Sequence, residues 1–187
     1  MQNRSLEEQR KEFSRRRMIA TPIAGVLAWS VVAISSLFMS PYNVSILLFI
    51  VTGMIVYLGM FISRFTGENF LAKDKPKNAF DGLFFYSVAT ALLVYAIAIP
   101  FYLQDYTSLP LTVGILTGLM WLPFSWIIQH WIGLVHALAR TLSVVIVWYV
   151  FPENRFFAVP LVIVLLYIPV IAFLECRWRG LNKLGAE

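Results

Sequence analysis

The sequence predicts an all-α, polytopic membrane protein: a six-transmembrane-helix bundle with both termini cytoplasmic. Three observations carry that expectation. Hydrophobic residues make up 59% of the 187-residue chain and charged residues 13%, whereas a soluble domain holds roughly 45–50% apolar and about 25% charged residues. Apolar runs of about 20 residues, the length that crosses the hydrocarbon core as a helix, recur along the chain. Lys and Arg fall in alternate connections between those runs, and basic residues favour the cytoplasmic side.

The leading segment, residues 1–17, is polar and basic. Ser5 with Glu8 forms a capping-box pattern, and Glu7–Lys11 and Glu12–Arg16 are spaced to pair along a helix. A short cytoplasmic helix is expected there, lying as a solvated basic anchor on the anionic leaflet. The first apolar run, Met18 to Met39, has 22 residues, longer than the core of a signal peptide, about 7–15 residues. It is therefore expected to be a retained first span.

Five further runs follow: Val44 to about Ser63, about Gly82 to Leu103, Leu109 to Ile128, about Trp131 to Val150, and about Phe156 to Leu174. The transmembrane domain is expected over residues 18–176, followed by a cytoplasmic tail over 177–187. Short connections favour antiparallel neighbours. The exception, Arg64 to Asp81, holds Gly67, Pro76, Lys73, Lys75 and Lys77 and reads as a solvated cytoplasmic segment.

Counting basic residues sets the orientation. The amino terminus carries Arg4, Arg10, Lys11, Arg15, Arg16 and Arg17, the second connection Arg64, Lys73, Lys75 and Lys77, and the carboxyl terminus Arg177, Arg179 and Lys183. The outer side receives only Arg155. The net charge of +5 therefore belongs to membrane boundaries and not to a nucleic-acid face. Tyr42, Tyr102, Tyr106, Trp148, Tyr149 and Phe151 mark the outer boundary as an aromatic belt, with Phe13, Trp131 and Trp178 placed to do the same inside.

Intramembrane polarity concentrates in the fourth and fifth runs. Gly114 and Gly118 form a small-xxx-small pair suited to helix packing. Beyond them lie Trp121, Pro123, Ser125 and Trp126, and Pro123 leaves the Leu119 carbonyl without its helical donor. In the fifth run, Gln129, Gly133, His136, Arg140 and Ser143 follow steps of four and three and so share one helix stripe. Arg140 lies near the middle of its run. An arginine at that depth costs about 2.5–3.5 kcal/mol on insertion scales, and no acidic residue lies deep in any run to balance it.

Arg140 must then be met by backbone carbonyls, by hydroxyls such as Thr90, Thr117 and Tyr167, by water, or by a bound anion. The pocket or pore candidates are Gln129, His136, Arg140, Ser143, Ser125, Trp126, Thr90 and Tyr167. Two bland readings compete with a pocket: an arginine tied to the freed carbonyl as a structural lock, and an arginine that snorkels to the head groups.

Other chemistry is unmarked. His130 and His136 are six residues apart, about 240° around a helix at 100° per residue, so no haem or metal site is expected. The single Cys176 makes no disulfide and reads as a small apolar residue. There is no H-E-x-x-H, G-x-S-x-G, P-loop or G-x-G-x-x-G motif. No catalytic residue, cofactor or metal is assigned.

The stretch from Asp105 through Gly133, with Leu109, Pro110, Gly114, Gly118, Trp121, Leu122, Pro123, Gln129 and His130, resembles a small family of bacterial integral membrane proteins of unknown function. That resemblance implies a bacterial cytoplasmic (inner) membrane and brings no site residue with it. Three functional expectations stay open. The first is a small transporter or channel-like protein with a polar pocket for an anionic solute or lipid head group. The second is a non-catalytic factor that works through a partner or as a homo-oligomer using Gly114 and Gly118 as a contact face. The third is an intramembrane enzyme acting on a lipid phosphate.

Overall fold

The computed structural model of the protein describes residues 4–70 and 76–183. These residues are helical, with no strand among them, which suits a chain that must satisfy its backbone polar groups within each segment when water is excluded. In order come α1 (Leu6–Ser14), α2 (Ala20–Ser35), α3 (Pro41–Gly53), α4 (Ile55–Phe65), α5 (Ala79–Leu93), α6 (Tyr95–Gln104), α7 (Leu109–Leu116), α8 (Trp121–Ile128), α9 (Ile132–Val150) and α10 (Arg155–Lys183). The last helix runs past the tail boundary expected at Arg177.

Each of the six apolar runs is helical, but fewer than six qualify as spans by length. Ala79–Gln104, Tyr106–Ile128, Ile132–Val150 and Pro152–Lys183 are long and apolar enough to cross a membrane, and α3 with α4 adds a fifth if their 48° bend is one broken span. Helix α2 has 16 residues and covers about 24 Å at 1.5 Å per residue, short of the roughly 30 Å hydrocarbon core. Its start is cut back because Met18, at φ 63, is left-handed, and its end dissolves into turns after Ser35.

The break between α7 and α8 has a clear cause. Pro123 has no N–H for the Leu119 carbonyl, and that carbonyl accepts from Leu122 N–H instead, at 3.1 Å. Three-residue turns replace the α-helical ladder through this stretch.

Helix α2 forms the centre of the packing, against α3, α4 and α10. Ala20, Ala24 and Ala28 recur every four residues and are essentially sealed from the surface, so neighbouring helices approach closely. Gly25 is needed on this face: a Cβ there would stand 2.8 Å from the ring Cζ of Tyr167. Another close approach joins α8 to α9, where a Cβ on Gly133 would meet the Trp121 carbonyl oxygen at 2.6 Å.

The leading helix departs from the solvated anchor expected of it. Its capping box is present, with Ser5 Oγ accepting from Glu8 N–H and the Glu8 carboxylate accepting from Ser5 N–H. Phe13, however, is 2% exposed and packs between Phe80 and Phe84, so it is a core residue and not an interfacial anchor. Three of this segment's arginines reach other elements, whereas Lys11 and Arg15 stay exposed. Arg10 donates to the Trp126 and Ile127 carbonyls at the end of α8, where a helix leaves acceptors unmet. Arg16 pairs with Asp81 in the first turn of α5, and Arg17 grips Glu175 of α10 at 2.7 and 3.0 Å.

The described residues on either side of 71–75 in the connection after α4 are likewise folded in. Asn78 is buried, caps α5 by accepting from Phe80 N–H at 2.9 Å, and donates to the Gln9 carbonyl at 2.7 Å. Glu68 is buried and caps α2 from 48 residues away in sequence, its Oε1 accepting from Ile19 N–H at 2.9 Å, Ala20 N–H at 2.8 Å and the Thr66 hydroxyl at 3.0 Å. Lys73 and Lys75 lie outside the described residues.

Burial raises the Glu68 pKa above its ordinary 4.5, against the lowering effect of the donors it accepts and of Arg17. A carboxyl that holds its proton more tightly when folded adds stability below pH 4.5 and loses it as pH rises through the raised folded value. The melting temperature in detergent is therefore expected to fall across that window for the wild type, with Glu68→Gln removing this component of the pH dependence. Gly133→Ala is expected to cost about 1–3 kcal/mol through the forced shift of α8 against α9; an unchanged melting temperature would contradict that contact.

Candidate functional site around Arg140

Helix α9 presents Gly133, His136, Ala137, Arg140 and Val144 to the interior, a stripe of three- and four-residue steps. Arg140 lies near its middle and is 1% exposed, so it does not snorkel. Ser143 is half-buried at the edge of the stripe. Gln129 is not on it: at φ 51 and ψ 46 it is the left-handed residue that ends α8, and it is exposed. The expected helix periodicity fails there because the chain turns sharply between α8 and α9.

The guanidinium is held by neutral oxygens. Nε–H donates to the Gly114 carbonyl at 2.7 Å, Nη1–H to the Tyr167 hydroxyl at 2.8 Å, and Nη2–H to Thr117 Oγ1 at 2.9 Å. Gly114 O is available because Gly118 N–H turns to Ile115 O, at 2.8 Å, as α7 tightens at its end. The carbonyl expected to serve this role, that of Leu119, is taken by Leu122 N–H. Thr117 Oγ1 donates its own hydrogen to Val113 O at 2.6 Å.

Among the described residues, the ion pairs gather around α1, the start of α5 and the end of α10, and none reaches Arg140. The guanidinium carbon instead stands 5.5 Å from the ring centroids of both Trp29 and Tyr167, near enough for the ring faces to attract it. His136, 2% exposed, is wedged between Trp121 and Tyr167 with ring centroids 4.7 and 4.9 Å away. Neither of its nitrogens meets a hydrogen-bond partner among the described residues, so the imidazole acts here as a flat spacer that aims the Tyr167 ring.

Two glycines make the arrangement sterically feasible. A Cβ on Gly118 would lie 2.9 Å from Arg140 Cδ and 3.1 Å from its Nε, and a Cβ on Gly114 would press on Val144 and Ile163 at 3.3 and 3.4 Å. This face of α7 therefore turns inward against α9 and α10. That corrects the expectation that Gly114 and Gly118 offer a contact face to a second copy.

Of the candidates named from sequence, Arg140, His136 and Tyr167 come together here. Thr90 does not: it is exposed on α5 and donates back to Ser87 O. Ser125 bonds the His130 carbonyl at the turn into α9, and Trp126 is 61% exposed with the Arg10 guanidinium 4.0 Å above its ring. Both belong to the end of the bundle where α1 docks. Trp29 was not foreseen, although a tryptophan in the middle of an apolar run, away from the interfaces that this residue favours, is a readable signal. Among the described residues there is no group of three or more His, Cys, Asp or Glu side chains placed to hold a metal ion.

A cavity of about 740 Å³, counting its open mouth, adjoins this cluster. Trp29, Thr117, Trp121 and Tyr167 form its inner wall, and α4, α5 and α6 form the outer one. Three of the groups that touch Arg140 thus also face the cavity. Trp29 is fully buried, and its Nε1–H meets no acceptor among the described residues. The Tyr167 oxygen accepts from Arg140, and its own hydrogen has no acceptor among them either.

Tyr167→Phe deletes an acceptor of a buried cation and is expected to cost about 1–3 kcal/mol of stability. The loss should shrink by at least about 0.5 kcal/mol when Arg140 is first replaced by Met, as for any contacting pair. Strict additivity in detergent melting experiments would show that the two side chains do not interact.

No curated protein and no solved structure matches the chain. Over residues 6–177 it matches a family of unknown function (DUF7010). That span includes every residue of the Arg140 cluster, and the chain belongs to this family.

Proposed function

We propose that the protein is a small transporter or channel-like carrier of the bacterial cytoplasmic membrane, with an intramembrane pocket for an anionic solute or lipid head group. In this reading it crosses six times with both termini inside. Met18 to Met39 serves as a complete first span through the lead and turns that flank α2, and α3 with α4 is one bent span. The placement of Lys and Arg supports that orientation, and the anionic cytoplasmic leaflet is then the surface that α1 faces.

One observation carries the pocket: a fully buried guanidinium is met only by neutral oxygens among the described residues, beside a cavity that shares three of its neighbours. Arginine keeps its proton, so the local charge is positive, and an anion in the cavity is attracted across a medium of low polarity. A second reading rests on the same bonds. Three protein oxygens already hold Arg140, and Gly118 closes on its Cδ, as in a purely structural lock of a non-catalytic membrane factor.

Thiol labelling separates the two. In a Cys176→Ser background, a cysteine replacing Met120 on the cavity wall is expected to react faster with an anionic sulfonate reagent than with a cationic one of equal size. Arg140→Gln should erase that preference, by about tenfold for each 1.4 kcal/mol of attraction lost. Equal, negligible reaction with both reagents would leave the lock reading in possession. Reporter fusions at both termini and after Ser40 check the topology; an external signal from either terminus would overturn the six-span arrangement.

A further inference from the structure

The cavity beside Arg140 differs from a water-filled path in both its wall and its mouth. Its hydroxyls are mostly engaged: Thr52 donates to Leu48 O or shares a 2.6 Å bond with Tyr95, and Thr117 is bonded on both sides. Two wall residues, Trp29 and Tyr167, carry a donor hydrogen with no acceptor among the described residues, and Thr21 adds a hydroxyl to the wall. The rest of the wall is apolar and aromatic, with Ile55, Val56, Phe84, Phe85, Val88 and Leu92.

The mouth lies between helices. Neither α5 nor α6 packs along α4. The two sides meet at one end, where Thr52 bonds Tyr95 and the Phe49 ring contacts the rings of Tyr95 and Tyr102 at 5.7 and 5.0 Å. At the other end Phe70 closes the cavity from the connection after α4. Between these seals, the exposed side chains of Phe85 and Leu92 border the opening. In a protein seated in a bilayer, such a gap faces acyl chains.

An opening of this kind admits molecules that are already dissolved in the membrane. Two unmet donors select a ligand that presents oxygen acceptors, since each buried donor left without one costs about 1–3 kcal/mol. Arg140 adds sign to that selection. Its Nη1–H on the Tyr167 oxygen polarises the phenol and makes its O–H a stronger donor, and its uncompensated charge favours an anion over a neutral head.

Resting on the pocket reading above, we propose that the ligand is a single-chain amphiphile with an anionic oxygen head group, a fatty carboxylate or an isoprenyl phosphate. It enters sideways from the bilayer through the gap between α4 and the α5–α6 pair. Its chain lies along the aromatic wall, and its head oxygens accept from Trp29 and Tyr167.

The test uses the full-length protein in nanodiscs of uncharged lipid, with radiolabelled palmitate, farnesyl phosphate and inorganic phosphate as probes. Trp29→Phe removes a donor and keeps an aromatic ring, while Ala91→Trp fills the cavity from the wall of α5; the melting temperature confirms that each variant is folded. Saturable retention of palmitate or farnesyl phosphate is expected, weakened about fivefold by Trp29→Phe, as for one lost hydrogen bond, and abolished by Ala91→Trp. Whichever probe binds more tightly identifies the head group. Binding of inorganic phosphate alone, sensitive to Arg140→Gln, would overturn the amphiphile and leave the anion pocket standing. Binding of no probe would remove both, and chain binding indifferent to both variants would mean non-specific partition and overturn this proposal.

Discussion

A permanently charged guanidinium sealed in an apolar interior is the constraint around which the protein is organised. Arg140 has no carboxylate within reach among the described residues, so its charge is spread over a carbonyl, a phenol and a threonine hydroxyl, with two aromatic rings nearby. Each of these has a structural precondition. The Gly114 carbonyl is free because α7 tightens at its end, and the guanidinium can approach because Gly118 has no side chain. Tyr167 reaches in because Gly25 leaves room and because His136 and Trp121 flank its ring. Backbone irregularity in α7 and α8, costly in a continuous apolar helix, is thus coupled to the need to solvate a cation.

The end of the bundle around α1 solves its electrostatics differently. Arg16 and Arg17 have carboxylates, and Arg10 has the vacant carbonyls at the end of α8. Half-exposed pairs of that sort contribute little each; their effect is to seat Phe13 and to draw α1, α5, α8 and α10 together. Glu68 links this end to the first apolar helix, because it supplies the N-terminal acceptor that the left-handed Met18 cannot. Two residues further on, Phe70 stands at the margin of the cavity. Glu68 and Phe70, at the start of the connection after α4, therefore tie down the core and border the site at once.

The contrast between the two regions bears on function. Where charges are paired, the protein is complete in itself. Where a buried cation lies behind a cavity wall that carries two donors without acceptors among the described residues, the proposed ligand supplies the missing oxygen atoms and negative charge. Membership of a family of unknown function adds no substrate to this chemistry.

Much of this was legible in the chain because it depends on local quantities. An apolar run of about 20 residues declares a membrane-seeking helix by length and composition alone, and a single arginine in such a run stands out because nothing nearby in sequence can neutralise it. The oxygens of Thr117 and Tyr167 were foreseeable partners for the same reason: few polar groups exist at that depth. Other features depend on which segments meet in space. Pro123 announces a broken ladder, yet the carbonyl given to Arg140 is that of Gly114, selected by the way α7 packs on α9. Gln129 fits a helical stripe on paper and leaves it through one left-handed residue. The docking of α1, the capping of α2 by a distant glutamate, and the joining of Trp29 to Tyr167 across one cavity are long-range contacts, and residue spacing along a chain holds no record of them.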